Sequence, residues 1–316
     1  MPKIEPAIRQ LVYLIPDGTS YIDIAKDLSK VNRRLYRQGM SYVIQDIQIG
    51  MPVGMRATDV YQVVFATAGT SWIVHNAWKK AFTTWQAQAR SVERLVDIPA
   101  KWRDFKVYLD DSMRGGTTLE PYAGDGAVYL AGEWNYSQFV WDDDGTERET
   151  YAHLIGSDSG TTDFGLVQNY ADSRKRVQAN DPAQEAEAST SMYAKMLTIG
   201  DDELIADLID NIEAANDAPP YDIDDFPGGA DNADAAVPVR FGSVNATQST
   251  TNLPGFVAEC GLIKVSCNEI ELTTSGDPAA VTGTSVYQAV SAPTVSCLIT
   301  VAAGPYRGVL AAPMGQ

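Results

Sequence analysis

Apolar and polar residues alternate with a period of two in many short stretches of this chain, a pattern typical of half-buried β-strands. The stretches are rich in Val, Ile, Tyr and Phe, which favour strands, and residues with turn chemistry separate them. The predicted strands cover residues 8–15, 41–49, 57–67, 105–109, 127–141, 149–155, 255–272, 285–292, 294–303 and 307–312.

Apolar residues recur with the helical period of 3.6 in two other regions, near residues 20–38 and 71–97. The first region opens with Ser20 and Asp23, which have the spacing of a capping box. A shorter acidic helix begins a third region near 200–254, which continues as a loop rich in Asp, Gly, Asn and Pro. All three regions are expected to be insertions in a strand-rich domain.

Strands and helices do not alternate regularly, which argues against a parallel α/β sheet. The pattern predicts a mainly β protein, an antiparallel β-sandwich in the form of an eight-stranded jelly roll with two or three inserted helices. The length of 316 residues allows one such domain over residues 1–316. No run of about eighteen apolar residues occurs, so no membrane contact is expected.

Charge is distributed unevenly along the chain. The 24 Lys and Arg residues face 41 Asp and Glu residues, a net charge of −17, yet residues 1–120 carry a net charge of +4. Residues 201–234 contain twelve acids and no base. Such acidity argues against a generic nucleic-acid-binding protein. It allows a subunit with one basic and one acidic face, the acidic segment outward.

Basic residues recur on one face of the first predicted helix, where Asp27 is the only intervening acid, so we expect them to bind an external anion. A solvated helix face, or pairing with acids of another copy of the chain, is the alternative. A second basic cluster could extend this surface. The candidate nucleic-acid-binding residues are Lys26, Lys30, Arg33, Arg34, Arg37, Arg174, Lys175 and Arg176.

Catalytic signals are weak. His75 and His153 belong to no known catalytic pattern, and Cys260, Cys267 and Cys297 are expected to be buried thiols. Carboxylate pairs are too numerous to identify a hydrolase site, so no enzyme activity is expected.

Short aspartate runs are the weak candidates for a metal site. Asp222, Asp224 and Asp225 could hold a divalent cation such as calcium through oxygen ligands, although the spacing is not that of an EF-hand. A solvated acidic loop is the alternative, and no other cofactor is expected.

Six stretches together resemble the capsid proteins of small circular single-stranded DNA viruses of environmental and marine type. The resemblance implies a jelly-roll coat protein that assembles with itself, inside the host cell, into an icosahedral shell around a small single-stranded DNA genome. The matching stretches are LVYLIPDGTSYIDIA at 11–25, VNRR at 31–34, DAPPY at 217–221, PGG at 227–229, LPGF at 253–256 and CGLI at 260–263.

One feature departs from this resemblance. Many such capsid proteins carry a basic N-terminal arm, whereas residues 1–10 contain only Lys3 and Arg9, offset by Glu5. Contact with the genome is therefore expected from a folded basic surface, or from another protein, polyamines or cations. The other functions consistent with the sequence are a carbohydrate-binding β-sandwich, recognisable by a row of exposed aromatic residues, and a glycoside hydrolase with two convergent acids.

Overall fold

The structure is a computed structural model that describes residues 6–51, 59–93, 102–130, 132–143, 146–156, 162–172, 236–271 and 294–315. Within these ranges the protein is mainly β, and almost all of its strand pairs are antiparallel, which confirms the predicted fold class at this level. No helix in the described ranges is long and apolar enough to cross a membrane.

The first sheet has the strand order β1-β13-β3-β10, and two short strands, β11 and β16, pair with another part of β3. Every pair in it is antiparallel. Its strands are β1 (Gln10–Ile15), β3 (Met40–Gly50), β10 (Thr250–Pro254), β11 (Val257–Ala258), β13 (Val295–Val301) and β16 (Ala311–Pro313).

The second sheet has the order β5-β2-β12-β4-β9, in which only the short β5 is parallel to its neighbour. Its strands are β2 (Gly18–Asp23), β4 (Asp59–Thr67), β5 (Thr117–Thr118), β9 (Val237–Asn245) and β12 (Leu262–Glu271). A further short pair joins β14 (Ala303–Gly304) to β15 (Gly308–Val309).

The two large sheets share one apolar core. Tyr13 and Ile47 of the first sheet belong to the same buried cluster as Phe65 and Val265 of the second. Alternate residues along β1 are buried, as expected when one strand face meets the core. Burial of each such side chain stabilises the fold by about 1.5–3 kcal/mol. The arrangement is that expected of a β-sandwich.

A long insertion separates β4 from β9 and builds a second core. Its longest element is α2 (Trp72–Glu93), which confirms the second predicted helix. The second buried cluster contains Trp78 of α2 and Phe105, whose rings lie 5.8 Å apart. The other elements of the insertion are α3 (Asp111–Gly115), β6 (Gln138–Asp143), β7 (Thr146–His153), β8 (Asp163–Gly165) and α4 (Leu166–Asp172).

The first predicted helix is shorter than expected and starts later. Residues 18–23 form β2, which pairs with β12, and α1 covers only Ile24–Asn32. The side chain of Asp23, and not that of Ser20, caps the helix by accepting a hydrogen bond from the Lys26 N–H at 3.0 Å. The distant strand β12 therefore overrides the local capping signal.

Three other predictions need correction. Of the described residues within the strand predicted over 127–141, only residues 138–141 are in a strand, as part of β6. The loop expected up to residue 254 is wrong at its end, because β9 and β10 occupy residues 237–254. The strand predicted over 105–109 is reduced to a single bridge between Tyr108 and His153. The acidic helix predicted over 201–215 and the strand over 285–292 lie outside the described residues.

Candidate nucleic-acid interface

The predicted basic stripe does not lie on one helix face, so that prediction is wrong. Helix α1 ends at Asn32, and Arg33 takes the left-handed conformation with φ of 53°, its N–H donating to the Ser29 carbonyl. Only Lys26 and Lys30 of the expected stripe are helical. Arg37 lies in the connection to β3.

Both helical lysines bind one carboxylate of the same chain. Glu120 accepts a hydrogen bond from Lys26 Nζ at 2.7 Å and another from Lys30 Nζ. The side chains of Lys26 and Lys30 are only 13% and 6% exposed. Burial, together with the nearby charge of Lys26, lowers the pKa of Lys30 to about 8. These two lysines are therefore poorly placed to meet a DNA phosphate.

The remaining arginines lie together at the C-terminal end of α1. Arg33 and Arg37 are exposed, and a carboxylate oxygen of Asp104 lies 3.9 Å from Arg37 Nη1. Arg37 is exposed whereas Asp104 is buried, and at 3.9 Å the two groups are too far apart for a hydrogen bond, which leaves the Arg37 guanidinium accessible. The structure therefore keeps three members of the predicted set, Arg33, Arg34 and Arg37, on one short segment.

Two arginines from distant parts of the chain extend this segment. Arg307 Nη1 donates to the Leu35 carbonyl, and Arg9 Nη1 donates to the Val301 carbonyl at 3.0 Å. Asn32 exchanges two hydrogen bonds with the backbone of Ile8, which places Arg9 beside Arg33. We call this surface the arginine corner, and its members are Arg9, Arg33, Arg34, Arg37 and Arg307.

Sequence reasoning missed Arg9 and Arg307 as members of this surface. The segment of Arg9 contacts Asn32, about 24 positions away along the chain, and Arg307 contacts Leu35, about 270 positions away. A local charge pattern cannot detect such a contact. The one available signal was the isolation of Arg307 in an otherwise uncharged C-terminal stretch.

A buried acidic network supports α1 from the core side. Asp23 Oδ2 accepts hydrogen bonds from Gln38 Nε2 at 3.1 Å and Trp134 Nε1 at 3.0 Å. The hydroxyl of Tyr13 donates to Asp27 Oδ2 at 2.7 Å, while Asp27 Oδ1 is buried without a partner among the described residues. Burial raises the pKa of Asp27 to about 7.

The two histidines occupy structural positions. His153 is buried and its Nδ1 lies 2.8 Å from the Ile155 carbonyl oxygen. His75 Nε2 lies 3.3 Å from Glu259 Oε1, and the other carboxylate oxygen of Glu259 accepts a hydrogen bond from Ser41. The hydroxyl of Ser41 thus points to the acid and not to the imidazole. This order differs from that of a serine hydrolase triad, in which the base contacts the nucleophile.

Several other candidates have defined positions. Cys260, Cys267 and Cys297 are free and buried, as predicted. The exposed large aromatic residues of the described chain are Trp72 on α2, Trp102 in a loop and Phe241 on β9, so they do not form a row on one sheet.

The candidate metal ligands and the second basic cluster lie outside the residues that the structure describes. The described residues contain no group of three or more His, Cys, Asp or Glu side chains arranged to hold a metal ion. The candidate residues that lie outside the described ranges are Arg174, Lys175, Arg176, Asp222, Asp224 and Asp225.

Comparison with known proteins adds no relative. No protein-family model matches the chain, and no match was found among curated proteins or solved structures.

Proposed function

We propose that this chain is the subunit of a closed icosahedral shell, a jelly-roll coat protein that encloses a small single-stranded DNA genome. The observation that carries the proposal is the order in which the strands of the two sheets pair. The pairs are nested, each antiparallel: β1 with β13, β2 with β12, β3 with β10 and β4 with β9.

In such nested pairing the first strand pairs with the last, the second with the last but one, and so on. A long antiparallel hairpin that folds over into two facing sheets has this pairing. The chain passes from one sheet to the other at every connection except that between β4 and β9, which pair with each other across the insertion. Eight strands and two four-stranded sheets, β1-β13-β3-β10 and β2-β12-β4-β9, are the parts of a jelly roll. Lectins also use that fold, and the position of the stretches that resemble coat proteins is the second support for the proposal.

Two of the described stretches that resemble coat proteins lie next to each other in the fold. LVYLIPDGTSYIDIA at 11–25 supplies most of β1, all of β2 and the start of α1. CGLI at 260–263 packs on the start of α1, because a Cβ on Gly261 would lie 3.2 Å from the Ala25 nitrogen. Gly261 also has φ of +70°, which favours glycine. Two separate parts of the resemblance thus form one structural unit, which supports a shared fold.

An exposed apolar surface supports assembly of the subunit with copies of itself. The outward side chains of β1 include Val12 and Leu14, and Leu298 lies opposite Val12 on β13. Val12 forms an isolated antiparallel β-bridge with Tyr122, and Tyr122 forms another with Val128. Contiguous apolar surface of this kind marks protein–protein contacts. We call this surface the β1 apolar face, and its members are Val12, Leu14, Tyr122, Val128, Leu130 and Leu298.

In this proposal the genome contacts the arginine corner. Guanidinium groups bind phosphate oxygens with planar, paired hydrogen bonds, and they stay charged at every physiological pH. Arg33 and Arg37 are exposed on the corner, while Lys26 and Lys30 are held by Glu120. Contacts of this kind recognise the DNA backbone and not its sequence.

Particle formation by the purified full-length chain tests the shell. We expect light scattering and negative-stain microscopy at neutral pH to reveal uniform closed particles, and their ultraviolet spectrum to contain the absorption of nucleic acid. A shell subunit buries large apolar areas against its neighbours, so assembly should persist over a range of salt. A stable monomer at all pH and salt conditions would contradict the proposal.

A further inference from the structure

The outer side of α2 is a second basic surface, separate from the arginine corner. Helix α2 buries Ile73 and Trp78 in the insertion core and leaves its opposite side exposed. Lys79 and Arg90 lie on this exposed side, eleven positions apart, which is three turns and about 16 Å of helix. Between residues 72 and 92 the sequence has no Asp or Glu. Positive charge therefore runs along the helix without a local acid.

A groove of about 540 Å³ opens beside this line of charge. It lies between α2 and α4, and the Lys80 ammonium lies 5.9 Å from the ring centre of Tyr170. Lys79 forms no ion pair with any residue that the structure describes, in contrast to Lys26 and Lys30. The polar and aromatic residues that line the groove are Asn76, Lys79, Lys80, Thr83, Thr84 and Tyr170.

Proteins that bind single-stranded nucleic acid combine a basic groove for the phosphates with aromatic rings on which bases stack. The groove contains both parts, since Lys80 lies over the ring of Tyr170, and Lys79 and Asn76 line the same groove. An acidic peptide would need the charges but not the ring. The combination therefore favours nucleic acid over an acidic protein segment.

We propose that the groove between α2 and α4 binds the backbone of single-stranded nucleic acid. Lys79 and Lys80 neutralise phosphates, Tyr170 stacks with a base, and Arg90 extends the track along the helix. The inference rests on the proposed function, because it gives the enclosed genome a second contact site on the subunit. No base-specific recognition is involved, since stacking on one ring accepts every base.

Fluorescence anisotropy with a labelled oligo(dT) of twenty nucleotides tests the groove directly. The triple variant Lys79→Gln, Lys80→Gln, Arg90→Gln should bind at least about tenfold more weakly than the wild type at about 50 mM salt. The slope of log K against log salt is negative for a phosphate-binding protein. Each lost phosphate contact should reduce its magnitude by about 0.7, a total of about 2 for three contacts. Unchanged affinity and slope would overturn the proposal, as would a wild-type chain that does not bind the oligonucleotide.

A control variant that removes three positive charges elsewhere distinguishes direct contacts in the groove from the effect of the total charge of the protein. Lys26, Arg114 and Lys264 each lie within ion-pair distance of a carboxylate of the chain. Their joint replacement by Gln should change the slope by less than half as much as the groove variant. Thermal melts of both variants check folding, and the single variant Lys79→Gln, on an exposed position, keeps the test valid if a triple variant does not fold.

Replacement of Tyr170 distinguishes nucleic acid from an acidic protein segment. Tyr170→Leu should weaken oligo(dT) binding severalfold while it leaves the binding of poly-glutamate unchanged. Equal effects on both ligands would assign the groove to acidic peptides and overturn the proposal. Particle formation is measured separately for every variant. A chain that binds oligo(dT) through the groove but never assembles would contradict the proposal of a shell subunit and leave the proposal for the groove intact.

Discussion

At the residue scale, the most consequential side chain is the buried Asp27. Its Oδ2 accepts a hydrogen bond from Tyr13, but its Oδ1 has no partner among the described residues. A buried carboxylate with incomplete hydrogen bonding is costly in its charged form. This cost raises the pKa of Asp27 to about 7, so the group titrates within the physiological range.

Asp27 should make the folded subunit less stable as the pH rises. Its pKa is higher in the folded chain than in the unfolded one, so the folded state binds the extra proton between about pH 4 and pH 7. Stability is greatest below this window and falls as the pH rises through it, by at most about 1.4 kcal/mol per pH unit. Asp27→Asn should remove this contribution, and urea midpoints between pH 5 and pH 8 measure it.

The matched control is Asp125→Asn, in an exposed turn. It should leave the pH profile of the wild type unchanged. Parallel profiles for the wild type and Asp27→Asn would show that Asp27 does not titrate in this range.

At the element scale, strands with clear alternation were predictable from the sequence. The bounds of β1, β3, β4 and β13 lie within about two residues of those expected, because one face of each strand meets the core. Residues 20–23 were predicted as the start of a helix because the capping signal is local, whereas their pairing with β12 joins residues about 240 positions apart. The strands β9 and β10 were missed because their Gly, Asn and Pro residues are typical of loops.

The candidate site was less predictable than the strands for the same reason. The positions of Lys26 and Lys30 on a helix were predicted correctly, but their partner Glu120 is about 90 residues away in sequence. Charge periodicity can place a lysine on a helix face, and it cannot tell whether a distant segment covers that face. The groove beside α2 depends likewise on Tyr170 from another helix.

Gly255, in the LPGF stretch between β10 and β11, should tolerate no side chain. A Cβ there would overlap the carbonyl oxygens of Ile44 and Gln45, and Arg240 donates hydrogen bonds to the Pro254 and Gly255 carbonyls. Gly255→Ala must push the connection between β10 and β11 away from β3. At present the Ile44 N–H of β3 donates to the Phe256 carbonyl of this connection at 2.8 Å. We expect a loss of about 1–3 kcal/mol in the free energy of unfolding, measured by urea denaturation.

Gly124→Ala is the control for this substitution. An added Cβ at Gly124 meets no atom within 4 Å, and the residue is not in the left-handed region. Its effect should stay within about 0.5 kcal/mol. Similar losses for the two variants would mean that the close approach at Gly255 does not constrain the connection.

At the scale of the whole molecule, a net charge of −17 must be reconciled with the proposed packaging of DNA. Among the described basic residues, Lys26, Lys30 and Lys264 pair with carboxylates of the chain, whereas Arg33, Arg37 and Lys79 are exposed on the arginine corner and on the outer side of α2. Backbone binding requires local positive surface and not a positive total. Acidic surface elsewhere on the subunit is compatible with a shell whose outer side is solvated.

The β1 apolar face gives the shell proposal its sharpest test. Leu130 is 92% exposed and Val128 is 42% exposed, so neither side chain contributes much to the folding of a single subunit. A stable contact between subunits buries about 800 Å² on each partner, and a carboxylate buried there without a partner is strongly unfavourable. Val128→Glu with Leu130→Glu should therefore abolish particles in microscopy and light scattering while the thermal melt of the subunit stays within a few degrees of the wild type. Leu130→Met, which keeps the apolar surface, should assemble normally. If the double glutamate variant forms particles at the wild-type yield, subunits meet through another surface.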